Sequence, residues 1–189
     1  TLPQAAKFAA GTFLSGPVGG AGGAVRICEM ADVQDCITFD MGGTSTDVAL
    51  IYQRTPRISH DNQIDAYPLQ VPQLDIHTIG AGGGSIAWVQ DDGTLEVGPQ
   101  SAGALPGPAC YGRGGTEPTI SDANLVLGRL PTERTLAGGL QLDKAASEAA
   151  FTALAEKLGG GDIVPLADGV LRIAVAKMAG AVREVSVHR

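Results

Sequence analysis

Residues 37–51 read Ile37-Thr38-Phe39-Asp40-Met41-Gly42-Gly43-Thr44-Ser45-Thr46-Asp47-Val48-Ala49-Leu50-Ile51, and the choice of fold turns on them. A strand-like run ends in a carboxylate, passes through Gly-Gly-Thr-Ser, and enters a second strand-like run after another carboxylate. This order suits a strand–loop–strand hairpin whose tip holds phosphate. Glycines let backbone N–H groups approach an anion, hydroxyls add donors, and a flanking Asp can hold a magnesium ion or its waters. The plainer alternative is a tight hairpin whose glycines only serve the turn. The carboxylates of Asp40 and Asp47, with Thr44, Ser45 and Thr46 between them, favour the phosphate reading. Neither a Gly-x4-Gly-Lys-Ser/Thr loop nor a complete GxGxxG occurs in the chain.

Outward from the hairpin, the N-terminal side reads as a helix over Pro17 to Ala31, entered after Ser15-Gly16-Pro17, with a Gly/Ala face that permits close packing. Ile37 to Asp40, Thr46 to Tyr52 and Arg57 to His60 read as three successive strands, and the short connections predict an antiparallel meander. Ile64 to Ile79 mixes strand and loop signals around Pro68 and Pro72. Ile86 to Gln90 and Thr94 to Val97 flank Asp91-Asp92-Gly93, which predicts a hairpin with a type I′ turn. Gly98 to Pro118 is a Gly/Pro-rich loop of about twenty residues, a length that in a compact domain is usually functional or disordered. Three helices follow: one opening at Ser121 with Leu125, Val126 and Leu130; one from near Asp143 to Leu158; and one from near Asp168. The last presents Leu171, Val175, Met178, Val182 and Val185 as a core-facing stripe.

The chain has 189 residues, 44% hydrophobic and 4% aromatic, which predicts a single globular domain. A chain of this size buries roughly 70% of its unfolded surface. The net charge of −7 and the lack of a basic stripe with aromatics argue against nucleic acid. No apolar run reaches the ~18 residues of a membrane span, and no signal-peptide pattern opens the chain. Cys28, Cys36 and Cys110 fit neither a disulfide framework nor a CxxC metal site, and a reducing cytoplasm is the simplest expectation. The chain opens at Thr1 without Met and closes at Arg189 inside a helical pattern, so it reads as an internal piece of a longer polypeptide.

A second candidate site follows the hairpin. Asp75 and His77 alternate on a presumed strand and point to one face, where they can bind metal or polarise a carbonyl; equally, the His can be satisfied by a neighbouring Asp. The run Gly80 to Gly84 removes side chains where backbone must approach a ligand or another loop, and Gly82, Gly83, Gly84 and Ser85 read as a substrate- or nucleotide-facing loop. Arg113 can meet an anionic substrate or stand in solvent. Ser101 lacks the GxSxG frame of a nucleophile elbow because position 99 is Pro. Cys110 has no His nearby in sequence; a buried Cys in a rigid Pro/Gly loop is the favoured reading, with a nucleophile as the alternative. His60 and His188 read as surface residues.

FDMGGTSTDVAL (Phe39–Leu50) resembles the second phosphate-binding hairpin of the actin-like ATPase superfamily, which includes sugar kinases. Its neighbours narrow the resemblance. Ser15-Gly16-Pro17-Val18-Gly19-Gly20 precedes it, and His77-Thr78-Ile79-Gly80-Ala81-Gly82-Gly83-Gly84-Ser85 follows. Then come Gly98-Pro99-Gln100-Ser101-Ala102-Gly103-Ala104, Pro106-Gly107-Pro108-Ala109-Cys110-Tyr111-Gly112, and Pro118-Thr119-Ile120-Ser121-Asp122-Ala123-Asn124-Leu125. The ordered set closely resembles the hydantoinase A/5-oxoprolinase family, which includes N-methylhydantoinase A and the acetone carboxylase beta subunit. The match runs from about Ser15 to Leu130 and resumes weakly in the last helix.

The resemblance implies an α/β domain of ribonuclease-H-like type, a mixed sheet with an antiparallel meander flanked by helices. It also implies use of ATP and Mg²⁺ to phosphorylate the oxygen of a cyclic amide, lactam, hydantoin or ketone. The activated carbonyl is then hydrolysed or carboxylated, usually with a second subunit or domain of the hydantoinase B type. Asp40 would orient Mg²⁺, through water, or the attacking group. Gly42, Gly43 and Thr44, with Ser45 and Thr46, would contact phosphates, catalysis resting on positioning and charge neutralisation. Asp47 either joins that work or braces the loop. Two elements of full-length members, a first DxGGT-type hairpin and a later Gly-rich adenosine segment, are missing from the sequence. The expectation is therefore an inactive part of an ATP-dependent hydrolase or carboxylase. A sugar- or acetate-type kinase of the same superfamily and a non-catalytic ATP-responsive assembly module are the alternatives.

Overall fold

The computed structural model describes residues 15–59, 62–64, 67–69, 72–133 and 135–187. His60 and His188 lie outside the described residues. Contacts group the described chain into two compact units. The first holds the residues up to Asp40, Asp47–Thr78 and those from Ala181; the second holds Met41–Thr46 and Ile79–Gly180.

In the first unit, helix α1 (Ser15–Ala31) forms where small residues were expected to pack closely. Ala21 and Cys28, two turns apart, are its buried positions. Strands β1 (Cys36–Met41), β2 (Thr46–Tyr52) and β3 (Thr55–Pro56) lie side by side with β2 in the middle. Strand β2 is buried on both faces, since Val48 and Ile51, three residues apart and so on opposite faces, are both at 0% exposure. It joins β3 antiparallel, with Tyr52 opposite Thr55. The two residues between, Gln53 and Arg54, both take positive φ (50° and 58°), the signature of a type I′ turn without glycine. Two non-glycine residues in that region cost on the order of 1 kcal/mol each. The preceding segment offsets this: Asp35 accepts from Gln53 N (2.7 Å), Gln34 O from Arg54 N (2.8 Å), and Val33 O from Arg54 Nε (3.1 Å).

The single strand expected over Arg57 to His60 is instead split. Strand β4 (Ile58–Ser59) is separate from β3, and Arg57 is the break. Arg57 N donates to Leu50 O (3.3 Å), whereas its own carbonyl accepts from Asp75 N (2.9 Å), so the chain changes pairing partner at this residue. Two antiparallel pairs follow where the sequence mixed strand and loop signals: β5 (Asn62–Ile64) with β6 (Tyr67–Leu69), and β4 with β7 (Gln73–Leu74). Strand β8 (Ile76–Ile79) returns to pair with β2.

In the second unit, β9 (Ser85–Val89) and β10 (Leu95–Ser101) form the expected antiparallel hairpin. Its turn is not type I′. Gly93 N donates to Gln90 O and Gln90 N to Thr94 O (both 2.9 Å), and of the turn residues Gly93 takes positive φ (85°) while Asp92 does not. A three-residue connection with one left-handed glycine satisfies the twist instead, with Asp92 Oδ1 accepting from Thr94 N. Helices α2 (Ile120–Val126), α3 (Lys144–Lys157) and α4 (Ile163–Val187, of which 163–180 fall in this unit) complete it, with short 3₁₀ turns at Ala109–Tyr111 and Ala137–Gly139. One core joins them: Ala87 and Val97 of the hairpin, Ile120 and Val126 of α2, Phe151 and Leu154 of α3, and Ala167, Val170, Leu171 and Ala174 of α4. Each large side chain buried there contributes about 1.5–3 kcal/mol.

Helix α4 starts five residues before the expected Asp168, because Asp162 caps it by accepting from Val164 N (2.9 Å) and Pro165 sits in the first turn, where no donor is needed. The expected core stripe is corrected at Val175, which is 62% exposed. Within this unit the buried positions of α4 are Ala167, Val170, Leu171 and Ala174. They follow the 3.6-residue period through small residues that a count of bulky ones passes over. Among the described residues no helix is long and apolar enough to cross a membrane. Helices and antiparallel sheets together make the chain α/β.

Candidate phosphate-binding site

Gly42 N donates to Ser45 O (2.8 Å), closing a tight turn around Gly43 and Thr44 at the end of β1 and the start of β2. Gly42, Gly43 and Thr44 are exposed and Ser45 is half-buried. Among the described residues, no acceptor takes the backbone N–H of Gly43, Thr44 or Ser45. Consecutive backbone amides with a hydroxyl beside them are donors of the kind that bind an anion without a helix terminus.

The turn is held from behind by the glycine run of the same unit. Gly83 N donates to Gly42 O (3.0 Å) and Gly84 N to Gly43 O (2.6 Å). A Cβ on Gly82 would stand 2.7–2.8 Å from the backbone of Thr44, Gly42 and Gly43, so glycine is required for this approach. Ser85 is fully buried and its hydroxyl accepts from Gly82 N (2.8 Å), fixing the run's own shape. Ser121 N, at the start of α2, donates to Gly83 O (2.8 Å), and Ala102 N to Gly84 O (2.9 Å). With their carbonyls thus engaged on the inner side, the tip residues keep their amides outward.

The expected phosphate residues therefore divide. Gly42, Gly43 and Thr44 face solvent, whereas Thr46 is at 0% exposure and its hydroxyl donates to Ala81 O (2.5 Å), a bracing contact. Likewise Gly82, Gly84 and Ser85 pack as support instead of lining an open surface. Ser101 is half-buried beside the tip, with its Oγ 3.4 Å from Thr44 Oγ1 and accepting from Gly103 N (3.1 Å). Arg113 is exposed on the loop after the Ala109–Tyr111 turn, and no contact of it with the tip is seen among the described residues.

In the first unit, Asp40 and Asp47 line one cleft, together with Thr38, Ala49 and the small residues Pro17, Gly20 and Ala21 of α1. Asp40 is exposed; Asp47 is half-buried and accepts from the Thr78 hydroxyl of β8 (2.7 Å). Asp75 lies 3.6 Å from Arg57, and His77 Nε2 lies 3.4 Å from the Glu184 carboxylate on α4. Among the described residues no group of three or more His, Cys, Asp or Glu side chains is arranged to hold a metal. Mg²⁺ needs fewer, since it is commonly held by one or two carboxylates plus phosphate oxygens and water. The exposed carboxylate of Asp40 is of the chemical type that holds magnesium or its waters.

One residue escaped the sequence reading. Asp122 is a fully buried carboxylate in the second unit. It accepts from Ala109 N (3.2 Å), Cys110 N (2.7 Å), Thr119 N (2.9 Å), Thr119 Oγ1 (2.7 Å) and Ser147 Oγ (2.7 Å). Thr119-x-x-Asp122 is a capping box, a spacing visible in the sequence. Burial and the neighbouring Asp122 carboxylate push the Cys110 thiol far above its ordinary value, in keeping with a packed, unreactive side chain.

Comparison with known proteins gives consistent matches. The sequence model of the Hydantoinase/oxoprolinase family matches residues 1–189. The alpha subunit of caprolactamase from Pseudomonas jessenii is 41% identical over 176 residues, covering 93% of this chain and 25% of that protein. The gamma subunit of acetophenone carboxylase from Aromatoleum aromaticum is 42% identical over 151 residues, covering 78% and 21%. Among solved structures, nucleotide-free acetone carboxylase superposes with a TM-score of 0.82 at 33% identity, covering 92% of this chain and 24% of that one. ATP-dependent caprolactamase from Pseudomonas jessenii gives 0.76 at 42% identity, covering 89% and 24%. The chain spans about a quarter of the length of these relatives.

Proposed function

The chain belongs to the hydantoinase/oxoprolinase family, and on that premise we propose that its Gly42–Ser45 tip binds the phosphates of ATP in an amide- or ketone-activating enzyme. In this reading the chain is part of an actin-like ATPase fold, and the tip is the second of two phosphate hairpins in the intact protein. The observation that carries the proposal is the turn whose Gly43, Thr44 and Ser45 amides have no acceptor among the described residues, while Gly83 and Gly84 hold it from behind.

Amide resonance makes a carbonyl a poor electrophile, and phosphate on its oxygen makes that oxygen a good leaving group. ATP would supply the phosphoryl group, and Mg²⁺ would offset its charge. This chain's part is positional. The amides of Gly43 and Thr44 and the Thr44 hydroxyl would donate to phosphate oxygens, and Asp40 would hold magnesium's waters. Asp47, anchored by Thr78, would keep the start of β2 in register. Thr46 and Gly82–Ser85 would keep the turn rigid, since preorganised donors need no rearrangement when charge develops. A second, hydantoinase B-type subunit or domain would complete the reaction, in keeping with relatives named as subunits.

The test is Asp40→Ala in the intact protein, following ADP release stimulated by hydantoin, 5-oxoproline or a ketone. Turnover is expected to fall by about 10²-fold or more with an unchanged melting temperature, as for loss of a transition-state electrostatic contact. Turnover kept within a few-fold of the parent would sink the assignment of Asp40. Stimulation by none of these substrates would sink the reaction class.

A further inference from the structure

Cys28 and Cys36 are eight residues apart in sequence, and their Sγ atoms are 3.2 Å apart in the first unit. Both are free thiols. Cys28 is buried on α1 on the stripe it shares with Ala21, and Cys36 is half-buried at the first position of β1. Strand alternation puts Cys36, Thr38 and Asp40 on one face of β1, and helical spacing puts Pro17, Ala21 and Cys28 on one side of α1. Thr38, Asp40, Pro17 and Ala21 line a common cleft, so the sulfur pair and the cleft belong to one helix–strand contact.

We propose that Cys28 and Cys36 form a reversible disulfide that ties α1 to β1. A disulfide bond is about 2.05 Å long, so the sulfurs need approach by only a little over 1 Å. A low-molecular-weight disulfide is the oxidant. The Cys36 thiolate, the more accessible of the two, attacks one sulfur of the reagent, forming a mixed disulfide and releasing one thiolate. The Cys28 thiolate then attacks Cys36 Sγ, closing the intramolecular bond and releasing the second. The protein loses two electrons and two protons, and the reagent leaves as two thiols. Burial, the hydrogen bond and charge it shares with Cys28, and the nearby Asp35 push the Cys36 thiol up to about 11, which keeps its thiolate fraction small and makes the exchange slow at neutral pH. This crosslink does not depend on the phosphate reading, since it is argued from the two sulfurs and their own helix and strand.

The chain is incubated with excess oxidised glutathione at about pH 9, where exchange is faster, then acid-quenched and unfolded for thiol counting and unreduced peptide mapping. The expected result is loss of two of the three thiols, a Cys28–Cys36 linked peptide, no glutathione retained, and recovery of all three thiols with dithiothreitol. In Cys28→Ala, glutathione should stay on Cys36. Three surviving thiols, glutathione adducts alone in the parent, a bond involving Cys110, or a bond between two chains would each overturn the proposal. The parent protein alone decides these outcomes, so no variant has to fold.

Discussion

At Gly82 an added methyl would meet backbone atoms of Thr44, Gly42 and Gly43 at 2.7–2.8 Å, and backbone cannot rotate aside as a side-chain end can. Gly82→Ala is expected to destabilise by about 1–3 kcal/mol through overpacking, seen as a lower melting temperature, and to weaken ATP binding by the intact protein at least several-fold. Gly43→Ala is the contrast: a Cβ there meets nothing within 4 Å and its φ is not positive, so stability should hold or rise by a few tenths of a kcal/mol. The thiols give a second pair at this scale. With Cys36 raised to about 11, its alkylation by iodoacetamide should quicken roughly tenfold per pH unit between pH 7 and 10. Cys110 should stay unmodified until the protein unfolds, and equal reactivity of the two would contradict their burial. The sign for stability follows too. Cys36 holds its proton more tightly folded than unfolded, so it favours unfolding progressively as pH rises from the unfolded value, about 8.5, towards 11. The approach of Gly82 to the tip and the meeting of Cys28 with Cys36 join residues 38 and 8 positions apart, and no local pattern encodes either.

Between elements, Asp122 ties the N-terminus of α2 to the Ala109–Tyr111 turn and, through Ser147, to α3. Asp122→Asn keeps the shape but replaces one oxygen by a donor that faces other donors. A loss of about 3 kcal/mol or more is expected, since the buried N–H groups of Cys110 and Ala109 lose an acceptor. Chemical denaturation would measure it, and a loss under about 1 kcal/mol would show that water or neighbours replace the carboxylate. Because Ser121, next in sequence, holds Gly83, the variant should also loosen the glycine run, visible as faster amide exchange at Gly83 and Gly84. Helix α3 and the β9–β10 hairpin were legible from local signals: Asp143 accepts from Ala146 N (3.0 Å) as a cap, and Gly93 turns the hairpin. The interrupted β3–β4 segment was not, because Arg57 divides its hydrogen bonds between two partners distant in sequence. The α4 stripe was misread at Val175 because burial followed Ala167 and Ala174, whose small size suits close approach to the hairpin and its neighbours.

For the molecule as a whole, the chain covers about a quarter of its relatives, and in the proposed actin-like reading the ATP site needs a further hairpin and an adenosine-contacting segment. The 189-residue chain by itself is expected to show no Mg-ATP turnover and at most weak ATP binding; a robust ADP-release rate from it would contradict the two-hairpin reading. The family, the strand–turn–strand motif and the four helices of the described residues were readable from the sequence alone. Alternation, glycine placement and capping residues are local signals, and the ordered run of motifs from Ser15 to Leu130 is specific. Tertiary structure alone decided which of the candidate residues face outward. Thr44 and Thr46 are both hydroxyls on one hairpin, yet Thr44 is exposed and Thr46 donates inward to Ala81 O, because side chains on the central strand β2 are enclosed while the turn beyond it is not. It also decided that His77 lies beside Glu184, and that Gly82–Gly84 pack behind the turn. Sequence carries the local preference of each residue, but burial and partnership depend on what lies across the fold, and that is a property of packing.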